Sequence, residues 1–201
     1  MQTDSFKTIS GTSEACYKVK GSRFLSFAHP IQNAEEVKVL LDTYKKKYHD
    51  ARHVCFAYSL GINHLNTRSF DDGEPSGTAG RPILGQILSH QLTNVLVVVV
   101  RYFGGVLLGT GGLQSAYKQA SSDVLDIATV VEETIQASIR ISVDFVYLDQ
   151  VMKLVKKFQA KIVNQEFNLN CIMALSLRKN DEPMMLELLN KIETLCFLDE
   201  V

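Results

Sequence analysis

The chain has 201 residues, of which 46% are hydrophobic and 21% charged, and 21 Lys/Arg against 22 Asp/Glu give a formal net charge of −1. This is the composition of an ordinary globular protein and excludes a disordered or collagen-like chain. A charge this close to zero excludes a global attraction to nucleic acid, so any such binding must come from a local basic patch.

Residues 1–7 show no basic region followed by an apolar segment, and the longest strongly apolar run, 95–100, is too short to span a bilayer, so a cytoplasmic protein with no membrane partner is expected. Cys16, Cys55, Cys171 and Cys196 are scattered and form no CxxC pair, which argues against a zinc knuckle or a dithiol redox site.

Strands are expected at 16–19 and 23–28, paired through Lys20-Gly21-Ser22. Asn33 caps the first helix, Glu36 reaches back three residues later as in a capping box, and Val37, Leu40, Leu41, Tyr44 and Tyr48 follow on one face. An apolar strand over 54–60 ends at Gly61, and the polar stretch 63–80 reads as one long loop, of the kind that more often carries function than not. Within it, Thr78 is a candidate cap for a helix that opens at Pro82 and runs to about residue 90.

The β-branched run 95–101 reads as a central strand covered on both faces. A glycine-rich loop over 103–112 and a helix from Leu113 to about residue 128 come next. Beyond residue 131 a strand alternates through Ile139, Ile141, Val143 and Phe145, and a helix carries Leu148, Val151, Met152, Val155 and Phe158. Strands at 161–167 and 171–178 and a last helix opened by Asp181-Glu182-Pro183 complete a β-α-β-β-α pattern, most of a ferredoxin-like unit. The expected class is α+β, with one domain over 1–134 and a ferredoxin-like domain over 135–201.

Three groups of residues could carry chemistry. The strand-loop-helix order around Gly104, Gly105, Gly109, Gly111 and Gly112 suits a phosphate-like anion at a helix N-terminus. It lacks the Lys-Ser/Thr of a Walker A loop, because Leu113-Gln114 follows. Asp71, Asp72 and Glu74, with Ser76 and Thr78, could hold a divalent cation or simply fix turns, and turn-making is the stronger expectation. Three neighbouring carboxylates repel unless neutralised, and Arg68, Arg81 and Arg101 are the expected partners. His53 and Cys55 lie two apart on one strand and share a face, but no orienting third group is visible for a nucleophile pair.

The run from Asp71-Asp72-Gly73-Glu74-Pro75-Ser76-Gly77-Thr78-Ala79-Gly80-Arg81-Pro82 through Val100-Arg101-Tyr102-Phe103-Gly104-Gly105 to Leu108-Gly109-Thr110-Gly111-Gly112-Leu113, with Ala116-Tyr117, resembles the signature of the YigZ/IMPACT family. His53, Cys55, Ala57 and Tyr58 resemble the preceding strand of that family. The resemblance implies an N-terminal domain of the type shared by a small-subunit ribosomal protein and elongation factor G, and a C-terminal domain like the last domain of elongation factor G. Eukaryotic members regulate translation initiation by competing for an activator of a stress kinase, and bacterial relatives have been suggested to bind nucleic acid or ribosomes. Leu107 and Gln114-Ser115 stand where relatives often carry cations, and Phe70 where Ser is frequent.

The leading expectation is a non-catalytic translation regulator that binds RNA, the ribosome or a regulatory protein. The expected binding face comprises His53, Arg68, Asp71, Asp72, Glu74, Ser76, Thr78, Arg81, Arg101, Tyr102, Gly104, Gly105, Gly109, Gly111 and Gly112. No catalytic residue, metal ligand or cofactor is assigned. The alternatives are a metal-dependent enzyme acting on a phosphorylated or peptide substrate, and a small-molecule sensor.

Overall fold

The computed structural model describes residues 4–198 and is a mixed α/β structure of three sheets and five α-helices among those residues. It divides into a unit over 6–133 and a second unit made of 4–5 with 134–198.

The first unit opens with β1 (Ser5–Ile9), which forms a two-stranded sheet with the distant β7 (Val130–Thr134). β2 (Ser13–Val19) and β3 (Ser22–Pro30) form a hairpin in which Val19 faces Ser22. Its two-residue turn, Lys20-Gly21, has φ of 46° and 76°, the left-handed pair that matches the twist of a tight hairpin. Helix α1 (Ala34–Lys47) begins as expected: Asn33 Oδ1 accepts from Glu36 N at 2.9 Å, and Glu36 returns a carboxylate to Gln32 N.

β4 (His53–Leu60) leads into β5 (Asn66–Phe70), a strand where a continuous loop over 63–80 was expected. β5 pairs with β4 alone and lies at the sheet edge, so its exposed polar side chains carry no period-two apolar signal. α2 (Gly80–Ser89), β6 (Val95–Tyr102) and α3 (Gly109–Asp126) complete the unit. The glycine-rich segment is therefore divided: Gly109, Gly111 and Gly112 belong to the first turn of α3, which starts four residues earlier than the sequence suggests.

The five-stranded sheet runs β2-β3-β6-β4-β5, with β6 in the middle and antiparallel to both neighbours. Residues 95–100 are wholly buried and divide by alternation. Val95, Val97 and Val99 pack on the side of α2 and α3, with Ile83, Ile87, Leu113, Tyr117 and Val124. Leu96, Val98 and Val100 pack on the other side with Val37 and Tyr44 of α1. A strand with a helix layer on each face must be apolar at every position, which is why this run has no polar alternation.

In the second unit β8 (Gln136–Val143), α4 (Leu148–Lys157), β9 (Lys161–Phe167), β10 (Cys171–Arg178), α5 (Glu182–Leu189) and β11 (Cys196–Phe197) form a four-stranded antiparallel sheet in the order β11-β8-β10-β9. Ile139, Ile141, Val143, Met173 and Leu175 cover a core with Val151 and Val155 of α4 and Met185 and Leu189 of α5. The two-residue β11 escapes any periodicity argument. No helix among the described residues is long and apolar enough to cross a membrane.

Candidate functional site

On β6 the stripe Val95-Val97-Val99 continues to Arg101, so the residue that ends the apolar stripe is a cation on the α2/α3 side of the sheet. Strand register places His53 of β4 on one side of Arg101 and Phe24 of β3 on the other. Cross-strand neighbours share a face, so the three side chains meet there. Tyr117 arrives from α3 and packs edge-on against Phe24, with ring centroids 5.1 Å apart.

Glu74 supplies the countercharge. Its side chain is only 3% exposed, and Oε1 accepts from Arg101 Nη1 at 2.6 Å and from Tyr117 Oη at 2.9 Å. His53 Nε2 lies 3.8 Å from the same oxygen. Its Nδ1 is 2.7 Å from the Asp72 carbonyl, which can only accept, so Nδ1 carries a proton and donates. The Arg101 guanidinium lies over two aromatic rings, 5.6 Å from the Phe24 centroid and 5.7 Å from that of Phe103. Its Nε is buried and has no hydrogen-bond partner among the described residues.

Cys55, two residues along β4, donates to the Asp71 carbonyl and to Tyr117 Oη at 3.0 and 3.3 Å. Burial pushes its thiol well above the ordinary range, and the hydroxyl of Tyr117 only partly offsets this. Burial, then the neighbouring Cys55 and Glu74, push the Tyr117 phenol up in the same way. Both groups stay protonated at neutral pH. That removes Cys55 as a ready nucleophile.

The acidic segment holds this arrangement from outside. Asp71 Oδ1 accepts from the backbone N–H of Ala79 and Gly80 at 3.0 and 2.8 Å, and Oδ2 accepts from Gly77 N at 2.9 Å. Burial alone would raise its carboxyl pKa, but those three amides together with Arg81 hold it below the usual range. Asp71 thus satisfies amides at the start of α2, where Thr78 was the expected cap; the Thr78 hydroxyl instead donates to the Pro75 carbonyl at 2.6 Å. Asp72, at φ 44°, accepts from Val54 N at 2.7 Å. The three carboxylates therefore turn toward different partners. Of the arginines expected to neutralise them, Arg101 forms an ion pair, Arg81 acts on Asp71 only through space, and Arg68 forms no ion pair among the described residues.

The expected binding face does not converge. Arg68 is paired in register with Tyr58, whose side chain belongs to the α1 side of the sheet. Tyr102 follows Arg101 and so points to that same side, donating to Asp50 at 2.8 Å beneath Arg23. Ser76 and Arg81 are exposed, and Thr78 is buried. Gly104 packs on the hairpin turn at Gly21-Ser22, and Gly105 has φ 85°. His53, Glu74, Arg101 and Gly109 do come together.

They line a cleft of about 380 Å³ whose other walls are Arg52, Gly73, Pro75, Phe103, Leu107, Leu108, Thr110 and Leu113. No side chain caps α3 and no acidic residue occupies its first turn, and Gly109 and Thr110 of that turn line the cleft. Sequence reasoning missed Tyr117 and Thr110 as site residues. Tyr117 lies at core spacing with Leu113, Ala116 and Ala120, and only the fold shows where its hydroxyl goes.

The model of the Impact N-terminal domain matches residues 20–125. An IMPACT family member of Haemophilus influenzae is 34% identical over 178 residues, 87% of this chain and 86% of that protein. The IMPACT family member YigZ of Escherichia coli is 31% identical over 162 residues, 80% and 79% of the two chains. A crystal structure described as that of a hypothetical protein superposes with a TM-score of 0.76 at 27% identity, covering 99% of this chain and 98% of that one. A structure described as the two-domain translational regulator Yih1 is 25% identical over 61% of this chain and 47% of its own, with a TM-score of 0.34 too low to inform the fold. His53, Glu74 and Arg101 of the cleft and Tyr117, which bonds Glu74, all fall within the matched domain, and the chain belongs to the IMPACT family.

Proposed function

We propose that this chain is a cytoplasmic, non-catalytic regulator of translation that acts by binding RNA or an RNA-containing particle through the cleft at Arg101. Family membership supports the link to translation, since the relative Yih1 is described as a translational regulator. The observation that carries binding over catalysis is the commitment of every acidic side chain between Asp71 and Gly80. Asp71 and Asp72 hold backbone amides and Glu74 holds Arg101 and Tyr117, so the acidic segment offers no uncommitted carboxylate, while Arg52, Arg101 and the first turn of α3 line the cleft among apolar walls. Such a surface suits an anionic partner.

The β-α-β-β-α-β order over 136–197 supports the ferredoxin-like reading of the C-terminal domain, and with it the resemblance to the last domain of elongation factor G. A regulatory protein partner is the competing outcome.

The test is affinity capture of the full chain from lysate with and without RNase, followed by salt titration of whatever is retained. RNA or ribosomal particles that are retained at low salt and released steeply as salt rises are expected, because phosphate contacts release counterions. Retention of one protein, unchanged by RNase, would transfer the function to a protein partner.

A further inference from the structure

We propose that the second unit carries a site for a small phosphorylated polyol, a sugar phosphate, in a cavity at the end of its sheet lined by Lys157, Lys161 and Arg178. The site is built from residues of that unit alone and does not rest on the RNA-binding reading above. The cavity measures about 610 Å³. That lies within the roughly 300–1,000 Å³ of metabolite-sized pockets. The end of α4, the start of β9, the end of β10 and the residues around the start of β8 form its walls. Register sets Lys161 opposite Ser176 and Arg178 opposite Gln136. Ser176 and Arg178 are two residues apart on β10, so Lys161 and Arg178 are diagonal neighbours on one face of the sheet.

The cations there are uncompensated. Lys153, Lys179 and Lys191 of the same unit are each ion-paired with a carboxylate three or four residues away, on Asp149, Glu182 and Glu187. Lys157, Lys161 and Arg178 form no ion pair among the described residues, although Asp181 lines the same cavity. Like charges on neighbouring strands repel. A phosphate dianion between them replaces that repulsion with charge-assisted hydrogen bonds, to which Arg178 brings a planar fork of donors.

The rest of the lining decides which anion fits. Ser176 Oγ donates to Gln136 Oε1 at 3.3 Å, and Gln136 Nε2 donates to Thr134 Oγ1 at 2.7 Å, so this chain of bonds ends on a Thr134 hydroxyl proton with no acceptor among the described residues. Asp181 adds a carboxylate, which accepts from hydroxyls and repels a second acid. A ligand that carries hydroxyls beside its phosphate satisfies both groups, whereas a polycarboxylate meets Asp181 with like charge. An inorganic ion leaves most of the volume to water. A nucleotide base gains little stacking, because the half-buried Phe158 ring of the lining already carries the Lys157 ammonium 5.3 Å from its centroid.

The experiment titrates the full-length protein with glucose 6-phosphate and ribose 5-phosphate, against glucose, inorganic phosphate, succinate and a short single-stranded RNA, all at matched ionic strength, read by calorimetry and by melting temperature. At least one of the sugar phosphates is expected to bind at least tenfold more tightly than inorganic phosphate or succinate, with no binding of glucose. Lys161 and Arg178 are exposed, so the double variant Lys161→Ser with Arg178→Ser should fold normally and lose at least tenfold in that affinity. Asp181→Asn removes the acid and keeps the shape, so it should weaken the sugar phosphate, strengthen succinate and narrow the ratio between them. Absence of saturable binding by both sugar phosphates, binding no tighter than that of inorganic phosphate, or a double variant that binds like the parent would each overturn the site. An unchanged ratio in Asp181→Asn would overturn the choice of a polyol. RNA that binds the parent but not the double variant, with both sugar phosphates inert, would sink the small-molecule site and assign these cations to RNA.

Discussion

Gly104 and Gly21 meet backbone to backbone: a Cβ placed on Gly104 would lie 1.9 Å from the Gly21 carbonyl carbon and 2.1 Å from Ser22 N. The loop after β6 is thus seated on the β2–β3 turn, with Gly104 N donating to Ser22 Oγ. Gly104→Ala is expected to destabilise the protein by about 3 kcal/mol, the upper end of ordinary overpacking. Gly105→Ala, with φ 85° but open space around it, should cost only about 1–2 kcal/mol. Urea unfolding of the two variants separates backbone strain from steric exclusion.

Glu74 and Arg101 are both buried, so removing either partner strands a charge. Glu74→Ala and Arg101→Ala should each cost about 3–5 kcal/mol. Tyr117→Phe removes one hydrogen bond to Glu74 and one of the two acceptors near the Cys55 thiol, and should cost about 1–2 kcal/mol. A double-mutant cycle of Glu74→Gln with Arg101→Met should give a large coupling energy; additive losses would show that the pair is not the stabilising contact.

Asp71 makes stability depend on acid. Its folded pKa lies below the unfolded value of about 3.9, so its contribution is complete above that value and is lost as pH falls through the lower folded pKa. Asp71→Asn should lower stability at pH 7 by about 1–3 kcal/mol, because an amide group can no longer accept from Gly77 N as well as from Ala79 and Gly80, and should flatten the acid limb of a melting-temperature profile. An unchanged acid limb would rule out the carboxylate as the pH-linked group. Because Asp71, Asp72 and Glu74 face separate partners, EDTA or added Mg²⁺ is expected to leave the melting temperature of the parent unchanged.

The four thiols should fall into two kinetic classes. Cys16 and Cys196 are exposed, whereas Cys55 and Cys171 are buried and the Cys55 thiol is further held protonated by burial. A chromogenic disulfide reagent should titrate two thiols rapidly in the native state and four after unfolding. Rapid reaction of Cys55 would mean that the core around it opens.

Local features were legible in the sequence because local residues determine them. Asn33 and Glu36 lie one helical turn apart, and the Lys20-Gly21 turn is set by two residues. β1 and β7 were not, because each is a short strand whose partner lies more than a hundred residues away. β5 was hidden for a different reason: an edge strand that shows Asn66, Thr67 and Arg68 to solvent looks like a loop. The sequence placed Arg101, Glu74 and His53 in one candidate set, but could not separate them from Arg68 and Tyr102. Which face of the sheet each residue takes follows from register across strands, and no window along the chain contains that information.

The central position of β6 bears on how the protein comes off the ribosome. Both of its neighbours, β3 and β4, are complete by residue 60, yet the strand that joins them begins at Val95. At ~5–20 residues per second of synthesis, the nascent chain carries two unpaired apolar strand edges for a few seconds before the joining strand emerges. Chaperones that hold extended apolar segments would therefore find their target upstream of residue 60, and slowing elongation between 60 and 102 should lower the yield of folded protein more than slowing it anywhere later.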